Sequence, residues 1–188
     1  MRMLNVAAML LAASFASGAR GQVANPDFDT GAQGWSILLD AGGGGFVDWD
    51  STIGYPAPGS AHAGNVTSGA HVDGWKQCVP ISASDYAISA AVASAVQSGN
   101  SCRIKVDFIA NQDCVDGTPI ALEVQLSNTQ NNGAFELLGA GGALPDGILA
   151  AALSLDHVRA AGADAGSSDC HFDHLQLGAD TIFAENFD

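Results

Sequence analysis

Residues Trp75 to Cys114 read WKQCVPISASDYAISAAVASAVQSGNSCRIKVDFIANQDC. Near its end, Ile104, Val106 and Phe108 alternate with Arg103, Lys105 and Asp107, so an extended chain there has one apolar and one charged face. Tyr86, Ile88, Ala90 and Val92 recur at the same interval. Ser98-Gly99-Asn100, between the two runs, is turn chemistry. The stretch also carries Cys78, Cys102 and Cys114, three of the 4 cysteines. It predicts half-buried strands stapled by disulfides and shows no cluster of reactive groups.

The same signals extend outward in both directions. Trp35–Leu39, Phe46–Asp50, Ser60–Val66 and Val72–Ile81 read as strands, separated by loops rich in Gly and Pro. Trp35 is expected in the core. Downstream, Ile120–Leu126, Phe135–Leu138 and Cys170–Leu177 read the same way. Residues 145–163 are open to two readings. Their alanines and leucines favour helix by propensity, and Pro145 suits a helix start. A strand with small residues on one face is the alternative. Many short strands spaced ~10 residues apart predict an all-β sandwich. The 188 residues suit one domain, with no internal repeat or linker.

Met1-Arg2, the apolar run Leu4–Phe15 and the small residues up to Gly21 form the pattern of a secretory signal peptide. The expected organisation is therefore a signal peptide at 1–21, a β-sandwich at 22–178 and a tail at 179–188. No later stretch reaches the ~18 apolar residues a membrane helix needs, so no stable membrane insertion is expected. Cleavage would remove Arg2 and Arg20, taking the net charge from −14 to −16. Such a chain repels phosphate backbones, which argues against nucleic acid as a partner, and suits hard cations such as Ca²⁺. An even number of cysteines in a secreted chain implies two disulfides, with three pairings open. No CxxC spacing occurs, so neither a structural zinc site nor a thioredoxin-like pair is indicated.

Catalytic patterns are missing. There is no Gly-X-Ser-X-Gly elbow, and Gly42–Gly45 lack the strand, helix and Lys context of a phosphate loop. No pair of carboxylates stands out for glycoside hydrolysis, because most Asp residues read as turn residues. His171 and His174 fall on opposite faces of a strand and so would not share a metal. His62, His71 and His157 read as isolated surface residues.

Three segments in order resemble the CenC-type carbohydrate-binding modules of the galactose-binding-like superfamily: NPDFDTGAQGW at 25–35, WKQCVPISASDYAISAAV at 75–92 and FDHLQL at 172–177. The resemblance implies a jelly roll of two antiparallel sheets, which favours strand at 145–163. It also implies a structural Ca²⁺ with side-chain ligands Asp29 and Asp173, although Asp29 stands where Glu is usual and His174 where a second Asp is usual. It favours the pairing Cys78–Cys114, leaving Cys102–Cys170. Sugar-stacking residues in such modules are aromatic, so Trp49, Tyr55 and Trp75 are the candidates for carbohydrate. The closing TIFAENFD resembles a tail found on secreted proteins of Gram-negative bacteria. The expected function is a secreted, non-catalytic binding module for carbohydrate or another extracellular ligand. The alternatives are a structural or adhesive envelope protein without a sugar site, and a hydrolase on a β-sandwich.

Overall fold

The structure is a computed structural model and describes residues 22–39, 44–67, 69–115, 117–163 and 166–178. The expected signal peptide and tail lie outside the described residues. Ten strands follow in chain order: β1 (Ser36–Leu38), β2 (Gly45–Asp50), β3 (Ser60–Asn65), β4 (His71–Pro80), β5 (Asp85–Ala95), β6 (Asn100–Ile109), β7 (Ile120–Ser127), β8 (Phe135–Ala143), β9 (Ala150–Arg159) and β10 (Ser168–Gly178). They form two five-stranded antiparallel sheets, in the orders β1-β4-β9-β6-β7 and β2-β3-β10-β5-β8. The architecture is the jelly-roll sandwich expected.

Alternation decides which side chains meet between the sheets. From the first sheet, Trp75, Val79, Ile104, Val106, Phe108, Leu153 and Leu155 point inward. From the second come Ala61, Ala63, Ile88, Ala90, Val92 and Phe172. The small residues on β3 and β5 leave room for Trp75, Phe108 and Phe172. Residues 150–159 form the central strand β9, hydrogen-bonded to β4 on one side and β6 on the other. This settles the ambiguous segment: two neighbouring ladders outweigh alanine's helix propensity.

The disulfides are Cys78–Cys114 and Cys102–Cys170. Cys102 on β6 and Cys170 on β10 are both fully buried, so their bridge joins the two sheets through the core. Cys78 lies on an exposed face of β4, and its bridge ties the 110–119 loop to that strand.

The N-terminal segment caps one end of the sandwich. Phe28 is fully buried and packs on Trp35, with ring centroids 5.3 Å apart. The Trp35 indole N–H donates to Ala24 O at 2.9 Å, and the Leu175 N–H donates to Pro26 O at 2.9 Å. β10 is irregular here. Its pairing with β5 jumps between Asp173 and Gln176, and His174 has φ of 50°. A bulge of this kind re-aims the side chains around it.

Candidate functional site

The outward face of the β1-β4-β9-β6-β7 sheet carries polar side chains in register. One cross-strand row runs Ser36, Lys76, Ser154, Lys105, Gln125. The next runs Leu38, Gly74, Asp156, Arg103, Ser127, and a third runs Cys78, Ala152, Asp107, Glu123. Gly74 is constrained by the ladder itself, since an added Cβ would lie 2.0 Å from Leu155 O.

The central residues of these rows, among them Lys76, Arg103, Lys105, Asp107, Ser154 and Asp156, floor an open cleft of about 450 Å³. Gly34, Ser36 and Leu38 wall one side, and the Cys78–Cys114 bridge with Asp113 walls another. The Cys78–Cys114 disulfide is thus part of the cleft, fixing the loop that carries Asp113.

Arg103 and Lys105 on the floor are paired with carboxylates. Arg103 donates to Asp156 Oδ2 from Nε at 3.0 Å and from Nη2 at 2.6 Å, and Ser154 Oγ lies 3.3 Å from the same oxygen. Lys105 Nζ donates to Asp107 Oδ2 at 2.7 Å and lies 3.1 Å from Glu123 Oε2. Asp156 is only 1% exposed. Burial raises its pKa above the ordinary carboxylate value, against the opposing pull of Arg103. Asp107 Oδ1 and Asp156 Oδ1 are buried without a hydrogen-bond partner, so both carboxylates retain unused accepting capacity.

The cleft collects the chain's scarce cations. The sequence has 6 Lys plus Arg against 20 Asp plus Glu. Among the described residues these cations are Lys76, Arg103, Lys105 and Arg159, and all but the buried Arg159 line the cleft. Asp107, Asp113 and Asp156 balance them, so the lining is close to neutral on a strongly acidic chain.

The aromatic candidates lie elsewhere. Trp75 is 5% exposed, inside the core, and its indole N–H donates to His62 O at 3.2 Å. It presents no free face to a sugar. Trp49 on β2 is 37% exposed, but its N–H donates to Phe28 O at 2.6 Å and it turns toward the N-terminal segment. Tyr55 is 38% exposed in the proline loop, with Phe135 5.9 Å away between ring centroids. Neither Trp49 nor Tyr55 lines the cleft.

Asp29 and Asp173 occupy the capped end. Asp29 is exposed, whereas Asp173 is buried. Asp173 Oδ2 accepts from the Tyr55 N–H at 2.5 Å and Oδ1 from the His174 N–H at 2.7 Å. Burial, reinforced by the charges of Asp27 and Asp29, pushes its pKa up to about 6. No Lys or Arg among the described residues pairs with these three carboxylates.

The histidines read as isolated and surface-exposed are placed differently. His71 and His157 are buried, because they alternate in step with Asp73 and Trp75 on the inward face. Burial holds the His157 pKa down at about 4. His62 stacks on His171 across the β3–β10 pair, with centroids 4.3 Å apart.

No family model matches the chain, and no curated protein sequence matches it. Solved structures do. The carbohydrate-binding module TmCBM61, in complex with β-1,4-galactotriose, superposes with a TM-score of 0.57 at 15% identity, over 86% of this chain and 100% of that one. A CBM4 structure gives 0.56 at 15% identity, over 83% and 98%. The enzymatically active domain of tailspike protein 4 from bacteriophage CBA120 gives 0.62 at 11% identity, over 84% of this chain but only 21% of that one. The chain therefore spans about a fifth of the tailspike chain and nearly the whole of the two modules. It shares its fold with carbohydrate-binding modules. At these identities the likeness is one of fold.

Proposed function

We propose that this chain is a secreted, non-catalytic module of the CenC type that binds a neutral, hydroxyl-rich glycan in the cleft on the β1-β4-β9-β6-β7 sheet. The observation that carries the reading is the balanced lining: Lys76, Arg103 and Lys105 against Asp107, Asp113 and Asp156. A charged ligand would meet repulsion from half of these groups. Sugar hydroxyls both donate and accept, so they suit carboxylates and cations held side by side. The ion pairs fix the side chains before binding, which limits the ordering cost. Small rotations of Asp107 and Asp156 would turn their unpartnered oxygens toward a hydroxyl donor.

A glycan array probed with the mature chain, followed by calorimetric titration of the strongest binder, tests this. Lys76→Ala and Asp107→Ala should each weaken binding about tenfold, the loss of roughly one charge-assisted hydrogen bond. Trp49→Ala should leave it unchanged. If Trp49→Ala or Tyr55→Ala abolishes binding while the cleft variants retain it, the site lies on the other side of the sandwich. If no glycan binds, the reading fails.

The structural Ca²⁺ implied by the resemblance belongs to the same proposal. Asp29 and Asp173, with backbone carbonyls, would hold it at 2.3–2.6 Å. The support is that the charges of Asp27 and Asp29 act on the buried Asp173 and that no Lys or Arg among the described residues pairs with the three, although His174 Nδ1 lies 2.9 Å from Asp27 Oδ1. Bound there, the ion would tie the N-terminal segment to β10. Saturating Ca²⁺ should raise Tm by several degrees in the wild-type chain and leave Asp173→Ala unmoved, as read by calorimetry. An unchanged wild-type Tm would remove calcium from the proposal.

A further inference from the structure

At the end of the sandwich where β9 finishes and β10 begins, the space between the sheets is polar. The inward row Asp73, His157, Cys102 is followed by the row His71, Arg159, Asn100. Asp73, His71 and His157 are all buried, and each offers a ligand atom within 4.8 Å of the other two. His71 Nε2 and His157 Nδ1 have no hydrogen-bond partner. Two orphaned nitrogens in one buried pocket call for a missing group, since native interiors satisfy nearly all such atoms. From this geometry we infer a Zn²⁺ site, with His71 Nε2, His157 Nδ1 and an Asp73 carboxylate oxygen as protein ligands.

The surroundings are those of a metal site. The other nitrogen of His157, Nε2, lies 2.9 Å from Ser168 Oγ, which fixes the ring with Nδ1 facing inward. Asn65 Nδ2 donates to Asp73 Oδ2 at 3.2 Å and orients the carboxylate. Such outer partners hold metal ligands in place. The His71 and His157 rings have centroids 6.5 Å apart and planes tilted at 37°, so they are not stacked and their in-plane lone pairs are not parallel. His71 Nε2 is 3.7 Å from Asp73 Oδ2. A tetrahedral ion with bonds of about 2.0–2.2 Å would draw these atoms closer by small side-chain rotations. Gly45 keeps the space open, because a Cβ there would lie 2.2 Å from Asp73 Oδ2.

Two imidazoles and a carboxylate suit Zn²⁺ better than the all-oxygen shell of Ca²⁺. The nearby cation, Arg159, opposes the ion, but its guanidinium is engaged by Asn100 Oδ1 at 3.0 Å, Asn65 Oδ1 at 3.4 Å and Gly166 O at 3.2 Å. The other possible cluster, His62, Asp169 and His171, is less suited. Its imidazoles stack with planes 4° apart, so their in-plane lone pairs run parallel and do not converge.

The inference is independent of the glycan reading, and Co²⁺ as a visible probe tests it. The mature chain, with excess Ca²⁺ present to occupy oxygen sites, is titrated with Co²⁺ and then with Zn²⁺. One equivalent of Co²⁺ should bind with the intense d–d absorption of a tetrahedral site, and Zn²⁺ should displace it. His71→Leu should weaken Co²⁺ binding at least tenfold, and His62→Ala should leave it unchanged. Imidazole ¹⁵N NMR of the wild-type chain supplies a test free of folding defects, with Zn²⁺ shifting His71 Nε2 and His157 Nδ1. A Co²⁺ spectrum that stays octahedral, unshifted imidazole resonances, or binding lost in His62→Ala and kept in His71→Leu would each overturn the assignment.

Discussion

A Cys102→Ala/Cys170→Ala double variant is expected to lose more than about 4 kcal/mol of stability and to melt at least about 10 °C below the wild type. The bridge closes a sequence separation of 68 residues, and chain entropy alone assigns a loop of that size about 4 kcal/mol. The Cys78–Cys114 bridge, with a separation of 36, is worth only about 0.6 kcal/mol less by the same reasoning. Loop length therefore scarcely separates the two, and burial does. Cys102 and Cys170 are fully buried between the sheets, so removing both sulphurs leaves a void beside Phe172 and Ile104 and adds a cavity cost. Cys78 lies on an exposed face, and its loss leaves no void. The Cys78→Ala/Cys114→Ala variant should thus unfold at a higher denaturant concentration than the Cys102/Cys170 variant, while losing glycan binding as the wall carrying Asp113 is released. Guanidinium unfolding of the two variants side by side decides the matter. Equal midpoints would mean that the inter-sheet bridge contributes no more than chain entropy.

How legible the molecule was in its sequence depended on whether a residue's surroundings came from its own strand or from neighbouring ones. β6 could be read directly, because Ile104, Val106 and Phe108 face apolar neighbours and Arg103, Lys105 and Asp107 do not. The alternation and the packing agree there. β9 could not be read from its residues alone. Its outward Ala152 lies beneath the cleft, Ala150 and Ala151 are fully buried, and its inward Leu153 and Leu155 lie in the core, so the first part of the run is apolar on both faces. Such a strand imitates a buried helix until its two neighbours are known.

The polar residues misled for a related reason. His71, Asp73 and His157 occupy inward positions, yet polar side chains in alternation are ordinarily taken to face solvent. Trp75 shares their face and is core for the same reason. The cleft required topology as well. Lys76 and Arg103 are 27 positions apart and are brought onto one face by β9, which lies between β4 and β6. One signal was present in the chain itself. Residues 22–188 contain only four Lys or Arg, and three of them occupy outward positions of two alternating strands. Scarce cations placed together in this way mark a face, although only the fold shows that it is a single one.

Arg103→Met is expected to be the most costly single substitution in the cleft, at about 3–5 kcal/mol near pH 8. The guanidinium reaches Asp156 Oδ2 through two N–H groups and is the only Lys or Arg among the described residues that pairs with this carboxylate. Methionine matches much of the stem but supplies no donor, so a buried anion is left with Ser154 Oγ alone. The sign of the pH dependence follows from the direction of the shift. Burial already raises the Asp156 pKa in the wild type, so ionisation costs the folded state more than the unfolded one. Removing Arg103 deletes the main opposing attraction and raises that pKa further. The deficit is therefore full at alkaline pH and shrinks as pH falls through the raised folded-state value, where Asp156 takes up a proton in the folded chain. An Arg103→Met/Asp156→Leu double variant removes both charges and should recover most of the lost stability, since a buried pair can often be replaced by apolar groups at little cost. It should not recover glycan binding, because the hydroxyl partners are gone. Denaturant midpoints of the single and double variants at about pH 5 and about pH 8 test the argument. A deficit that does not change with pH would show that Arg103 acts through packing of its stem, and the cleft would lose the ion pair as its organising element.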